Sequence, residues 1–423
     1  MSIHEDRNRS MQTVTVDTHS RVLTINGGSS TIKFAVFELA KEPLRILSGS
    51  IERIGLPDAV MRFRKNQNQP DEIEPVVASD HASAIQLFMA LLDANGGLSS
   101  LAAIGHRIVH GGPNYSESSR IDPKLMTELH RISPWDPAHL PGEIAIIEAL
   151  SAQSPELPQF ACFDTAFHRD LPTVAKTLPL PRKYAAMGIQ RYGFHGLSYA
   201  YLLAELERLT NNGGSQESNA NRRVIFAHLG SGCSLAAVVG GQCIDTSMGF
   251  TPTGGLVMGR RSGDLDPGVL IHLMRDHGQT IEQIDDIVNN HSGLLGISET
   301  SSDIRDLLLR EREDERAREA VELFCYQVRK WIGGFSAALG GLDTLVFSAG
   351  IGENSPVIRE RICDKLAFLG IQIESALNQA NAGLISNAAS TVDVRVIRTD
   401  EEQMIARELA RLLVVHPKVA GTL

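Results

Sequence analysis

The chain has 423 residues, a formal net charge of −10, ordinary apolar content and few aromatics. Its length predicts two or three domains with a core that needs no staples, and its charge argues against a nucleic-acid groove or an anionic membrane surface. The five cysteines (Cys162, Cys233, Cys243, Cys325 and Cys363) are odd in number and form no C-x-x-C, so neither a disulfide framework nor a zinc knuckle is expected, and a reducing, cytoplasmic compartment fits.

Residues 1–20 read as a polar extension: His4, Glu5, Asp6, Arg7 and Arg9 leave no apolar core for a secretory signal. No later run approaches the ~18 apolar residues of a membrane span. Val22–Phe37 (VLTINGGSSTIKFAVF) predicts a strand, a polar glycine hairpin and a second strand. Between the apolar ends sit Asn26, Gly27, Gly28, Ser29, Ser30, Thr31 and Lys33. Glycines admit a ligand close to the backbone, and hydroxyls, amide and lysine supply donors, a mixture that suits a nucleotide phosphate with its Mg²⁺. An ordinary Gly-Gly hairpin has the same local look. The stretch Pro57–Pro75 is polar and proline-containing. Ser79–Leu92 has helical periodicity, with Ala84, Leu87, Phe88 and Leu91 on one face. Leu101–Val109 predicts a strand ending in His110-Gly111-Gly112. Pro141–Leu150 predicts a helix, Phe160–Phe163 a strand meeting Asp164, and Pro172–Pro181 a proline-rich connection.

After a low-complexity loop at 211–221, Val224–Val239 (VIFAHLGSGCSLAAVV) repeats the strand–turn–strand pattern around Gly230, Ser231, Gly232, Cys233 and Ser234. Two such hairpins predict a duplicated domain with a nucleotide held between the halves. Asp303–Ala320 predicts a highly charged, solvated helix, and Phe324–Leu339 a more apolar one. The strand Leu345–Phe347 leads to a third loop, Ala349-Gly350-Ile351-Gly352-Glu353-Asn354. Val392–Ile397 predicts a strand and Glu401–Val415 a final amphipathic helix. Strands alternating with helices indicate an α/β fold. There is no G-x-x-x-x-G-K-[ST] P-loop and no G-x-S-x-G elbow, and Gly350-Ile351-Gly352 lacks the third glycine of a dinucleotide fingerprint.

Apolar strands deliver reactive-looking groups at their ends: Arg107, Asp164, then Arg191 and His195, and finally Arg260, Arg261, Asp264 and Asp266 in a glycine-rich stretch. The arginine fork suits phosphate or carboxylate. Each residue taken singly also has a plain reading, as surface charge, turn cap or packed histidine. Thr399-Asp400-Glu401-Glu402 reads as a capping box, with Thr399 as cap and Glu402 reaching back. That leaves Glu401 able to face a metal.

Taken together, INGGSSTIKF, GHRIVHGG, FDTAFH, RYGFHGLS, AHLGSGCS, DTSMGFTP, RRSGDLDPG, SGLLGIS, SSDIR, AGIGEN and IRTDEEQMIA resemble the acetate kinase family, within the acetate and sugar kinase, chaperone ATPase and actin superfamily. The resemblance runs from about Val22 to about Leu412. It implies duplicated actin-like (ribonuclease H-like) domains with a nucleotide cleft between them. The first would span 21–166 and be joined by a C-terminal helix at 402–423; the second, nucleotide-binding, would span 167–401. It implies phosphoryl transfer between ATP and acetate, giving acetyl phosphate and ADP, with Mg²⁺ or Mn²⁺ as cofactor and a homodimer as the assembly. Asn26 and Glu401 match the metal positions and Lys33 the lysine near the nucleotide phosphates. Arg107 and Arg261 match the arginines at the carboxylate and transferring phosphoryl, Asp164 the catalytic aspartate, and His195 the histidine that stabilises the transition state. The segments His228-Leu229-Gly230-Ser231-Gly232, Asp303-Ile304-Arg305 and Gly350-Ile351-Gly352-Glu353-Asn354 match the nucleotide loops. Val109, Phe194 and Pro252 match the pocket for the substrate's alkyl group.

The chain departs from the family at Gly27 and Thr31, which replace serines, and at Ser231, which stands for asparagine. In Ser133-Pro134-Trp135-Asp136-Pro137, Pro134 replaces a pocket leucine and Trp135 a histidine. Arg260 replaces a threonine, and Thr253-Gly254 a leucine-glutamate pair. These changes bear on chain-length preference, so a propionate or butyrate kinase of the same fold is the alternative enzyme. A non-transferring nucleotide sensor or chaperone-like ATPase is the alternative of another class.

Overall fold

The computed structural model describes residues 15–17, 20–28, 30–65, 69–211 and 221–416. Most of the N-terminal extension, Ser29 and most of the polar loop at 211–221 lie outside them. The chain forms two compact units, one of residues up to Phe163 together with those from Glu401 onward, the other Asp164–Asp400.

In the first unit a short strand, β1 (Thr15–Asp17), precedes an eight-stranded sheet. Its strands are β2 (Arg21–Gly27), β3 (Thr31–Glu38), β4 (Leu44–Glu52), β5 (Val60–Arg64), β6 (Glu72–Pro75), β7 (Leu101–Ile108), β8 (Ser119–Arg120) and β9 (Gln159–Phe163), in the spatial order 6-5-4-3-2-7-9-8. Strands β2, β3 and β4 form an antiparallel meander, while β7 and β9 continue from β2 in parallel. Leu23 and Ile25 of β2 pack with Phe88 of the helix His81–Asp93 and with Ile146 and Leu150 of the helix Leu140–Gln153. Thr24 and its neighbour Gly105 belong to the opposite face, because side chains alternate along a strand. A Cβ at Gly105 would sit 2.5 Å from Ile405 and 2.9 Å from Leu409, so the missing side chain lets the helix Glu401–Leu412 seat on that face.

The second unit has a five-stranded sheet of β10 (Arg223–Leu229), β11 (Cys233–Val239), β12 (Gln242–Thr246), β13 (Thr344–Ser348) and β14 (Asp393–Val396), ordered 12-11-10-13-14. Here too an antiparallel meander is continued by two parallel strands. Both sheets therefore contain one strand order, 3-2-1-4-5, when strands are counted along each core. That repeat is the duplication the two hairpins predicted. Val224 and Phe226 pack with Tyr199, Leu202 and Leu206 of the helix Gly196–Asn211. The helix Glu315–Leu339 packs on β10 and β11. A last strand, β15 (Val414–His416), pairs with β1 in parallel.

Several local expectations are corrected. Asn26, Gly27, Thr31 and Lys33 lie within β2 and β3, so the first turn is shorter than expected. The polar stretch Pro57–Pro75 contains β5 and β6, because Met61 and Phe63 alternate inward despite their polar neighbours. The charged helix Asp303–Ala320 is broken. It runs Ile304–Arg310, and the side chain of Asp314 then caps the long helix Glu315–Leu339. The third loop, Ala349–Asn354, is a short helix. The last helix starts at Glu401 and stops at Leu412. Asp400 rather than Thr399 therefore holds the cap position, and the Thr399 hydroxyl pairs with Ser198 at 2.7 Å.

Candidate active site

In the first unit the expected residues cluster at the end of β2. The register sets Asn26 opposite Lys33 on β3 and opposite Arg107 on β7, so the three form one row across the sheet. Lys33 is exposed. Asn26 Nδ2 donates to Glu401 Oε2 at 2.7 Å. An amide and a carboxylate offer the hard oxygens Mg²⁺ prefers, and Mg²⁺ takes its remaining oxygens from water and phosphate. Among the described residues no group of three or more His, Cys, Asp or Glu is placed to hold a metal ion. Arg107 Nη1 donates to Glu143 Oε1 at 3.3 Å, and the Val109 amide donates to Glu143 Oε2 at 3.0 Å. Glu143 is only 2% exposed. Val109 is buried. Pro134, expected in the alkyl pocket, is exposed. Trp135 stands edge-on to His110 at 5.4 Å.

In the second unit Asp164 is fully buried, and its carbonyl accepts a 2.9 Å bond from the Gly196 amide. A Cβ at Gly196 would lie 2.0 Å from that carbonyl, so only glycine allows the helix Gly196–Asn211 to start there. His195, immediately before it, has φ 57°, a left-handed conformation rare for a non-glycine residue. Such strain persists where the surroundings over-determine it, and here they do. The His195 ring stacks on His228 at 4.1 Å, and Nδ1 pairs with Ser234 Oγ at 2.8 Å. Its Nε2 lies 3.4 Å from where a Gly232 Cβ would stand, and Arg261 Nη1 lies 3.6 Å from the same point. Two side-chain nitrogens thus converge over a glycine. Arg261 Nη1 also donates to the Pro252 carbonyl at 3.2 Å. Phe194 is buried, and its carbonyl accepts from His168 Nε2.

The hairpin carrying Gly232 also borders a cavity of about 730 Å³. Its walls include Gly230, Ser231, Asp303, Ile304, Arg305, Gly350, Ile351 and Asn354, which brings parts of all three expected nucleotide segments together. Leu308, Leu309 and Pro356 add apolar wall. The size is that of a small-molecule site. Asp303 caps the helix Ile304–Arg310, and hydrogen bonds from Arg305 hold its carboxyl below the usual range. Five expected residues of these segments sit apart from the walls, Gly232 among them. Leu229 is buried in β10, and Gly352 in the helix that follows β13. His228 Nδ1 pairs with Ser198. Glu353 turns inward and accepts from the amides of Ala349 (2.8 Å) and Thr399 (3.0 Å).

Three other candidates make bonds within the second unit. Arg191 clamps the carbonyls of Thr246, Ser247 and Met248. Asp264 accepts from the Gly255 amide and Asp266 caps the helix Pro267–Asp276. Arg260 is exposed. All five cysteines are buried and free, and burial lifts the thiols of Cys162 and Cys233 to about 12. Sequence reading placed Ser234 in the glycine-rich turn without its bond to His195, and it missed Glu143, Tyr199 and the cavity leucines, which belong to no glycine-rich motif.

Two side-chain nitrogens over a glycine, on a hairpin that also borders a cavity of small-molecule size, suit a bound anion. The sequence pattern of the acetokinase family matches residues 21–407. The acetate kinase of Bacillus cytotoxicus is 40% identical over 400 residues, covering 93% of this chain and 99% of that one. Among solved structures, Porphyromonas gingivalis acetate kinase superposes with a TM-score of 0.81 at 34% identity, covering 93% and 99% of the two chains. A propionate kinase from Francisella tularensis gives 0.83 at 34% identity, covering 92% and 98%. The chain belongs to the acetokinase family.

Proposed function

We propose that this kinase moves the γ-phosphoryl group of ATP reversibly onto acetate, giving acetyl phosphate and ADP. The observation that carries this reading is the convergence of His195 Nε2 and Arg261 Nη1 over Gly232, on the hairpin that borders the 730 Å³ cavity. A transferring phosphoryl group spreads charge over its equatorial oxygens, and donors fixed in advance stabilise it without reorganisation. Arg261 and His195 are those donors. Arg107 takes the substrate carboxylate, and Val109, Phe194 and Pro252, all buried, take its alkyl group. A carboxylate is already ionised at neutral pH, so an acetate oxygen forms the new P–O bond as the bond to ADP breaks, and no proton moves. Asp164 therefore orients rather than accepts a proton. Lys33 and the Gly230–Gly232 hairpin serve the phosphates, and the cavity takes the nucleoside. Asn26 and Glu401 would hold Mg²⁺, which when bound neutralises phosphate charge.

We further propose a cytoplasmic homodimer. The helix Pro267–Asp276 (PGVLIHLMRD) buries none of its residues, and Val269, Ile271 and Met274 on it are exposed beside Leu265. A second copy would cover that face.

The likeness to a propionate kinase favours propionate as a second substrate. One methylene changes discrimination by about 1–3 kcal/mol, so overlap is expected. The test is acyl-phosphate formation with acetate, propionate and butyrate, comparing kcat/KM with and without Mg²⁺. Acetate at least equal to propionate, and both well above butyrate, is expected. Butyrate as the best acceptor would overturn the assignment to acetate.

A further inference from the structure

We propose that Tyr199 and Ser234 are positioning residues that hold His195 as the neutral tautomer protonated at Nε2, so that an N–H rather than a lone pair faces the gap over Gly232. The inference rests on the reading that His195 serves the phosphoryl group.

The argument is a proton count. Ser234 Oγ lies 2.8 Å from His195 Nδ1 and 2.5 Å from the Tyr199 hydroxyl. Tyr199 and Ser234 are fully buried, so each hydroxyl proton needs an acceptor within the protein. Burial holds the phenol protonated, well above its ordinary range. Its acceptor is Ser234 Oγ. Ser234 then has one proton to give, and Nδ1 of His195 is where it goes. An imidazole nitrogen that accepts cannot carry a proton in the neutral ring, so the proton sits on Nε2. The reverse order, Nδ1 donating to Ser234 and Ser234 to Tyr199, would strand the buried phenol proton. Stacking on His228 at 4.1 Å fixes the ring plane, and the relay fixes its protonation. Nε2 is the atom 3.4 Å from the Gly232 Cβ position, on the side where Arg261 arrives. A wrong tautomer presents a lone pair to an anionic oxygen. In catalytic triads the same error costs about 10⁴-fold.

The direct test is ¹⁵N NMR of enzyme labelled selectively at histidine, with His195 assigned through His195→Gln. The wild type should show a protonated Nε2 and an unprotonated Nδ1. Ser234→Ala should give a mixture of tautomers and lower kcat by about 10- to 100-fold, while KM for acetate and ATP stays within about threefold. Tyr199→Phe should fall between. The double variant removes both buried hydroxyls together and guards against a fold lost to one unpaired group; it should match Ser234→Ala. A proton on Nδ1 in the wild type overturns the relay. So does a Ser234→Ala enzyme with unchanged kcat beside an inactive His195→Gln. If His195→Gln itself keeps full turnover, the assignment of His195 fails, and the tautomer spectrum still reports on the relay alone.

Discussion

Alanine at Gly232 separates chemistry from folding. The Gly232 backbone does not use a left-handed conformation, so an L-residue fits it. The added Cβ would meet His195 Nε2 at 3.4 Å, His195 Cε1 at 3.6 Å and Arg261 Nη1 at 3.6 Å. These are ordinary contacts that displace nothing. Reduced freedom of the unfolded chain should then stabilise the variant by about 0.4–1 kcal/mol. The methyl nonetheless fills the place where a phosphoryl oxygen would approach both nitrogens to charge-assisted bonding distance, about 2.7–2.9 Å. Losing one such donor in a preorganised site costs roughly 2.7–4 kcal/mol, or 10²–10³ in turnover. Gly232→Ala should melt at or slightly above the wild-type temperature and lose at least about 100-fold in kcat with acetate and ATP saturating. A variant that keeps a tenth of wild-type turnover would refute the convergence of His195 and Arg261 as the phosphoryl site. A melting point several degrees lower would refute the packing.

Glu143→Gln presents one acceptor and one donor where two acceptors stood, so either Arg107 or the Val109 amide loses its partner. The KM for acetate should rise about tenfold with that for ATP unchanged, and adding Arg107→Ala should cost no more than Arg107→Ala alone; additive losses would show that Glu143 acts elsewhere. Glu401→Gln should raise the Mg²⁺ concentration for half-maximal rate with little change in melting, while Glu402→Gln leaves the Mg²⁺ curve in place; the opposite pattern would reverse the assignment. His106 and His168 are buried, and desolvation lowers both to about 4. The folded state thus binds fewer protons than the unfolded one from pH ~6.5 down to about 4, so stability is full above pH ~6.5 and lost as pH falls, by up to roughly 3 kcal/mol for each group. Denaturant midpoints at pH 7 and pH 5 should differ, and by less in His106→Gln; equal midpoints in the wild type would contradict it.

The candidate site was most legible in short contiguous segments at strand ends. Asn26, Arg107, Asp164, His195 and Gly232 are of this kind, and the repeated strand–turn–strand pattern exposed the duplication. Contacts made across long stretches of chain were hidden. Glu143 sits on a helix that reads as apolar, 34 and 36 residues from its partners Val109 and Arg107. Ser234 reads as the end of a small-residue turn and Tyr199 as an ordinary helix residue, and neither reading shows the bonds that link Tyr199 to Ser234 and Ser234 to His195. Asp314 was one more charge in a charged run until its carboxylate capped a helix. In Ala349–Asn354 the glycines argued for a loop, but Glu353 reaches back to the Ala349 amide and winds the segment into a helix.

The first unit is built from two stretches of chain separated by the whole of the second. During synthesis the ribosome releases Asp164–Asp400 before it makes Glu401–Leu412. A growing chain can therefore close the second sheet while the first still lacks the helix that covers Gly105. Asn26 waits for Glu401 until all of Asp164–Asp400 has emerged. The bond between Asn26 and Glu401 therefore forms only once both stretches of the first unit exist. A product that ends at Asp400 contains every residue of the second unit, with His195, Arg261 and the walls of the 730 Å³ cavity, yet only one of the two residues proposed to hold the cation.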